Sequence, residues 1–183
     1  MKALKNMGRE PLSVPLAADD VTELHAVRLL LLLRKCGTRN RVEGLTKLAK
    51  LDFLIRYPTF FRRLATQLQK QVVTASSSSV ESAMIRHYNG PWDKRYYKVL
   101  PFLESRKLIS IHKRGITYVF ELTENGKKVA DAVAKQTEFA DQIEQMKKVK
   151  HLVGKKSGTF LKKLFYEVFD AEIAQKRLGE IIR

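Results

Sequence analysis

Four histidines, His25, His87, His112 and His151, and a single cysteine, Cys36, are the side chains of this 183-residue chain best suited to metal ligation or nucleophilic chemistry. A metal site built from a short stretch needs a second ligand at a spacing such as HxxxH or CxxC, and none of the five has one. Cys36 has no histidine beside it and no GxSxG elbow exists, so acyl-transfer chemistry has no recognisable motif. Cys36 reads instead as a small apolar filler at a helix end. Gly154-Lys155-Lys156-Ser157 superficially looks like a phosphate-binding loop. The first glycine of that motif would fall at position 149, which is Val, and a second Lys replaces the hydroxyl residue after Lys155, so the motif fails. Asp131, Glu138, Asp141 and Glu144 read as a solvated helix face, not a catalytic pair. The sequence therefore predicts a non-enzyme with no cofactor and no metal.

Charge carries more information. Lys and Arg number 35 against 19 Asp and Glu, a formal charge of +16 with a pI near 10.0. Nine Lys or Arg fall between Arg34 and Arg63 against only Glu43 and Asp52, and Gln145 to Tyr166 holds seven lysines and no acid. Cations at this density attract a nucleic-acid backbone through counterion release. The candidate DNA contacts are Lys94, Arg95, Lys98, Lys113, Arg114, Lys147, Lys148, Lys150, Lys155 and Lys156. The competing reading is a solvated surface that complements an acidic partner protein. Trp92 and Tyr96 share one helical face, which suits either packing onto the core or anchoring a partner; Phe160 and Phe165 are the further partner-binding candidates.

These residues must be positioned by a soluble domain. Hydrophobic residues make up 44% and charged residues 30%, enough to build a core and keep it solvated. The longest apolar run, Leu29 to Leu33, is far short of the roughly 20 residues of a membrane span, and the first residues lack a signal-peptide stretch. One cysteine fits a reducing compartment, so the expected location is the cytoplasm.

Residues 1–18, with Gly8, Pro11 and Pro15, read as an extended arm. Asp19 and Asp20 are positioned to cap a helix ending near Cys36-Gly37. Gly44 opens a second, with Leu45, Leu48, Leu51 and Ile55 on one stripe and Glu43, Lys47 and Lys50 pointing elsewhere. Pro58 stops it and starts a third, Thr59 to about Gln71, with Phe60, Phe61 and Leu64 inward. Ser76 to Ser79 marks a loop, Val80 to Tyr88 a strand, and Asn89-Gly90-Pro91 a turn. Asp93 caps a helix to about Lys107 that Pro101 should kink or split. Leu108 to His112 and Ile116 to Leu122 are strands, the second alternating through Ile116, Tyr118, Phe120 and Leu122, around a basic loop Lys113-Arg114-Gly115. Thr123 caps another helix, with Val129, Ala130 and Val133 inward. Phe139 to Val149, Phe160 to Phe169 and Ala171 to Ile181 complete a helical C-terminal extension.

The fold this order predicts is mainly α with a small β-sheet, a winged helix-turn-helix core with an inserted helix. The predicted division is an arm over 1–18, the winged-helix domain over 19–136 and the extension over 137–183, with the basic loop as the wing.

Three stretches resemble a known family: Arg41 to Pro58 (RVEGLTKLAKLDFLIRYP), Met84 to Tyr97 (MIRHYNGPWDKRYY) and Phe120 to Ala130 (FELTENGKKVA). In this order they are similar to the small middle component, LmuC-like, of three-component ABC-ATPase defence systems of the Lamassu type. The resemblance covers about residues 20–136 and extends to Gly158–Phe169. It implies a non-catalytic accessory subunit of a bacterial anti-phage or anti-plasmid complex. Its implied partners are an SMC-like ABC ATPase that senses DNA and an effector, often a nuclease, with double-stranded DNA meeting the basic surface. The alternative left by the residues is a free-standing winged-helix transcription regulator or antitoxin, a homodimer with a preferred operator.

Overall fold

The computed structural model describes residues 21–71, 84–87, 90–169 and 177–182. It is mainly α-helical with a small open sheet. In chain order the elements are α1 (Thr22–Lys35), β1 (Arg41–Glu43), α2 (Leu45–Arg56), α3 (Pro58–Gln67), β2 (Ile85–His87), β3 (Gly90–Trp92), α4 (Tyr96–Ser105), β4 (Ile109–Arg114), β5 (Thr117–Leu122), α5 (Glu124–Val133), α6 (Ala140–Val149) and α7 (Gly158–Val168). A 3-10 turn, Thr137–Phe139, leads into α6, and one π turn, Lys150–Gly154, follows it.

Helix α1 is the centre. Five consecutive leucines, Leu29 to Leu33, cover every side of a helix, and all five are buried. They are enclosed because α2, α4, α5, α6 and β5 all pack against this helix. Helices α2, α3 and α7 meet in an aromatic cluster, with the Phe53 ring 4.9 Å from Phe60 and 5.7 Å from Phe165 and Phe169 closing on both Phe60 and Phe165 at 5.2 Å. The helices after residue 137 thus share one continuous core with those before it.

The sheet is antiparallel in the order β1-β5-β4, with Phe120 opposite both Val42 and Ile111. Strand β1 was not foreseen. Three residues are too few to show a period, and their partner strand is far along the chain. Strands β2 and β3 form a separate ribbon with Ile85 opposite Trp92, which draws Gly90 and Pro91 out of the expected turn and into a strand. Asn89 of the expected turn lies outside the described residues, as do residues 80–83 and Tyr88 of the expected strand, the 1–18 arm, Asp19, Asp20 and the Ser76–Ser79 stretch.

Other boundaries differ for local reasons. Val21 holds the N-cap position of α1 without a side-chain cap. Helix α3 stops at Gln67, because the chain turns left-handed at Gln69, φ 54°. Helix α4 runs through Pro101 undivided; Pro101 and Tyr97, the residue whose carbonyl loses its donor, both lie on the exposed side. Lys113 and Arg114 belong to β4, and the hairpin loop shrinks to Gly115-Ile116, with Gly115 at φ 59°. Of the expected alternation in β5, Phe120 and Leu122 are buried, but Ile116 is 95% and Tyr118 54% exposed, since the hairpin extends past the core. The expected helix Ala171 to Ile181 is not formed where it is described: Leu178-Gly179 is a turn, Ile181 bridges to Ile85, and the Ile182 amide donates to the Met84 carbonyl at 2.8 Å.

The Leu122-Thr123-Glu124-Asn125-Gly126 opening of α5 has a steric basis. Thr123 Oγ1 accepts from the Gly126 amide at 2.9 Å, and a Cβ on Gly126 would lie 1.8 Å from the Leu108 carbonyl oxygen. Only glycine admits that approach.

Candidate functional site

The cations fall into three groups. The first is internal. Arg28 Nε donates to Asp52 Oδ1 at 2.7 Å, and Tyr96 Oη donates to Asp52 Oδ2 at 2.7 Å. Arg56 reaches Asp93 Oδ2 at 2.9 Å, Arg95 clasps the same carboxylate through Nε and a terminal nitrogen, and the His25 ring stands 3.0 Å from both Arg28 and Arg95. Burial would push the Asp93 carboxyl up, but hydrogen bonds from Arg95 and the charges of Arg56 and Arg95 hold it well below the usual carboxylate range. Tyr96 is pushed well above the usual phenol range by burial and by the neighbouring Asp52 charge. This network ties α1, α2 and the start of α4 together. It therefore occupies Arg95, a predicted DNA contact, with an internal task.

Lys50 belongs inside as well, contrary to its expected outward position. It is fully buried, its amine 5.2 Å from the Phe165 ring, and burial with the charge of Lys162 lowers its pKa to about 7. Of the nine cations between Arg34 and Arg63, Lys50 and Arg56 are buried, and Arg34, at the surface, is held by Asp131 in a two-point contact at 2.8 Å.

The second group is spread over exposed surface. Lys94 precedes α4 and Lys98 lies in its first turn, Lys113 and Arg114 stand on the hairpin, Lys147 and a half-buried Lys148 lie in the last turn of α6, and Lys150 follows it. Arg114 is tied to Glu43 at 3.2 Å, and Lys147 to Glu144.

The third group lines a cleft of about 710 Å³ between the tip end of the hairpin, at Thr117, and the first turns of α2 and α7. Lys155 and Lys156 reach it from the loop before α7, joined by Arg41, Lys47 and Lys162. Ser157 caps α7 by accepting from the Phe160 amide at 3.1 Å, and the Lys47 amine donates to the Gly154 carbonyl at 2.9 Å, joining α2 to the π turn. Burial lowers the Lys47 pKa. Arg41, Lys47 and Lys162 were counted within basic runs, but nothing in their spacing reveals that they converge.

Of the four aromatic partner candidates, Trp92, Tyr96 and Phe165 are buried, and Phe160 alone is exposed, with Lys156 4.9 Å from its ring. Trp92 stacks on His87 at 4.7 Å and meets Tyr96 edge-on at 5.7 Å, so these rings serve as core in the isolated chain.

The sequence matches the family described as ABC-three component (ABC-3C) system Middle Component 4 over residues 37–159, about two thirds of the chain. The chain belongs to that family. Middle Component 4 is a non-catalytic accessory component of a Lamassu-type ABC-ATPase defence system, and its partners are an ABC ATPase and another component. No curated protein and no solved structure matches the chain. The matched span of this middle component runs from the foot of β1 to the first turn of α7, and so contains Arg41, Lys47, Lys155 and Lys156 of the cleft.

Among the described residues no group of three or more His, Cys, Asp or Glu could hold a metal ion, and no helix is long and apolar enough to cross a membrane. Cys36 is buried, its thiol donates to the Met146 carbonyl at 3.1 Å, and burial pushes its pKa up to about 12, so little of it is nucleophilic thiolate.

Proposed function

We propose that this middle component is a winged-helix bridge between the ABC ATPase of its system and an effector, with an exposed basic surface that meets double-stranded DNA. The family match carries the bridging role. Support for the winged-helix reading is the connectivity. Strand β1 lies between α1 and α2 and pairs with β5, the second strand of a projecting hairpin, while α4 directly precedes that hairpin and α3 and the β2–β3 ribbon are insertions. In that reading residues 19–136 form the winged-helix unit and 137–183 its helical extension.

DNA contact is supported by the placement of Lys94 just before α4, of Lys98 on α4 and of Lys113 on the hairpin, all exposed, as winged-helix proteins place cations against phosphates. Partner contact is supported by apolar side chains with no place in the core: Ile116 at the hairpin tip, Tyr118 beside it, and Phe160. The effector we assign is a nuclease.

The deciding experiment is affinity purification of the chain from its host, with and without nuclease treatment, followed by mass spectrometry. Recovery of a coiled-coil ABC ATPase together with an enzymatic subunit after nuclease treatment is the expected result. Recovery of the chain alone on one discrete DNA sequence would overturn the bridging role in favour of a regulator.

A further inference from the structure

The cleft at the first turns of α2 and α7 has an electrostatic composition that a solvated surface does not require. Arg41, Lys47, Lys155, Lys156 and Lys162 face it, against one carboxylate, Glu43. That carboxylate is already engaged by Arg41 at 3.4 Å and Arg114 at 3.2 Å, and among the described residues Lys155, Lys156 and Lys162 pair with no acid. Five cations gathered about one concavity repel each other, and the concave shape focuses the field they make. A bound anion of several charges relieves that repulsion.

The rest of the lining narrows the chemistry. Thr46, Thr117, Ser157 and Thr159 supply hydroxyl groups, and residues of the first turns of two helices of twelve and eleven residues line the same space. These donors suit oxyanions, and the helix ends add partial positive charge. No aromatic or large apolar side chain lines the cleft, so it offers no platform for a base or a ring. The volume exceeds what one phosphate fills, and the cations come from β1, α2, the loop before α7 and α7 itself, which suits charge distributed over adjacent phosphoryl groups.

We propose that this cleft binds a compact ligand with two or three contiguous phosphoryl groups, the polyphosphate moiety of a nucleotide or an inorganic polyphosphate, gripped through phosphate oxygens with any base left in solvent. The site does not depend on the DNA reading. It assigns Lys155 and Lys156 to the cleft and leaves duplex contact to the exposed cations at α4, on the hairpin and at the end of α6.

The test is calorimetric titration of the full chain with tripolyphosphate, ATP, orthophosphate and a short duplex oligonucleotide at fixed ionic strength. The expected result is saturable binding of tripolyphosphate and ATP with similar affinity, about tenfold or more tighter than orthophosphate. That affinity should fall about tenfold or more in Lys155→Gln/Lys156→Gln and in Lys47→Gln/Lys162→Gln. Lys128→Gln/Lys135→Gln removes the same charge on and just beyond α5 and should bind as the parent does, which separates a site from general attraction to a basic protein. Melting curves establish that each variant is folded. Equal loss in the α5-side control, binding of ATP without tripolyphosphate, or binding of the duplex alone would each overturn the proposal. The last of these would return Lys155 and Lys156 to the DNA surface.

Discussion

Arg28 and Asp52 form an ion pair sealed inside the protein, 3% and 0% exposed, with Nε 2.7 Å from Oδ1. The pair links the central helix α1 to α2, and through the Tyr96 hydroxyl on the same carboxylate it fixes the start of α4. Removing one partner leaves a buried charge uncompensated. Asp52→Asn should therefore lower stability by about 3–5 kcal/mol in denaturant titration. A loss under about 1 kcal/mol would mean that packing alone holds these helices.

Lys50 makes stability depend on alkaline pH. Its native pKa of about 7 lies below its ordinary value of 10.5 because burial, and then the charge of Lys162, disfavour the protonated form. Between those two values the unfolded chain binds the proton that the native chain releases, so this residue makes stability rise with pH from about 7 to 10.5 and adds nothing further beyond. Lys50→Met should flatten that rise, read from melting curves across the range.

Gly126→Ala places a methyl carbon 1.8 Å from the Leu108 carbonyl oxygen, and a backbone atom cannot rotate away. A loss of about 1–3 kcal/mol or more is expected in equilibrium unfolding. An unchanged midpoint would show that α5 shifts freely against the β4 entry.

Trp92→Ala and Ile116→Asp should part stability from partner capture. Trp92 is 5% exposed and Ile116 95%, so the first should cost about 3–5 kcal/mol while the second leaves the melting temperature within about a degree. Ile116→Asp should instead reduce co-purification of the ATPase or the effector. Full recovery of both would remove the hairpin tip from the interface.

DNA affinity should fall steeply with salt if the exposed lysines meet phosphates. With about six contacts, a loss near a thousandfold is expected between about 50 and 200 mM salt by fluorescence anisotropy. Lys94→Gln/Lys98→Gln/Lys113→Gln should lower the slope by about three. A flat salt response would remove DNA from the assignment.

Local chemistry made several features legible in the sequence. Gly44 and Pro58 bound α2 and Thr123 caps α5, because caps and breakers act within a few residues. Arg41–Pro58 and Met84–Tyr97 were distinctive enough to point to the family. What a charged residue does was decided only by the tertiary structure. Lys50, Lys47 and Lys98 are the same residue type with similar neighbours in sequence, yet one is sealed against Phe165, one is half-buried at a cleft and one is solvated. That outcome depends on which distant segment arrives beside each. The cleft is the clearest case, because Arg41 and Lys162 lie on segments that meet only when α7 docks on α2 and β1 pairs with β5. Long-range docking of this kind leaves no trace in local spacing.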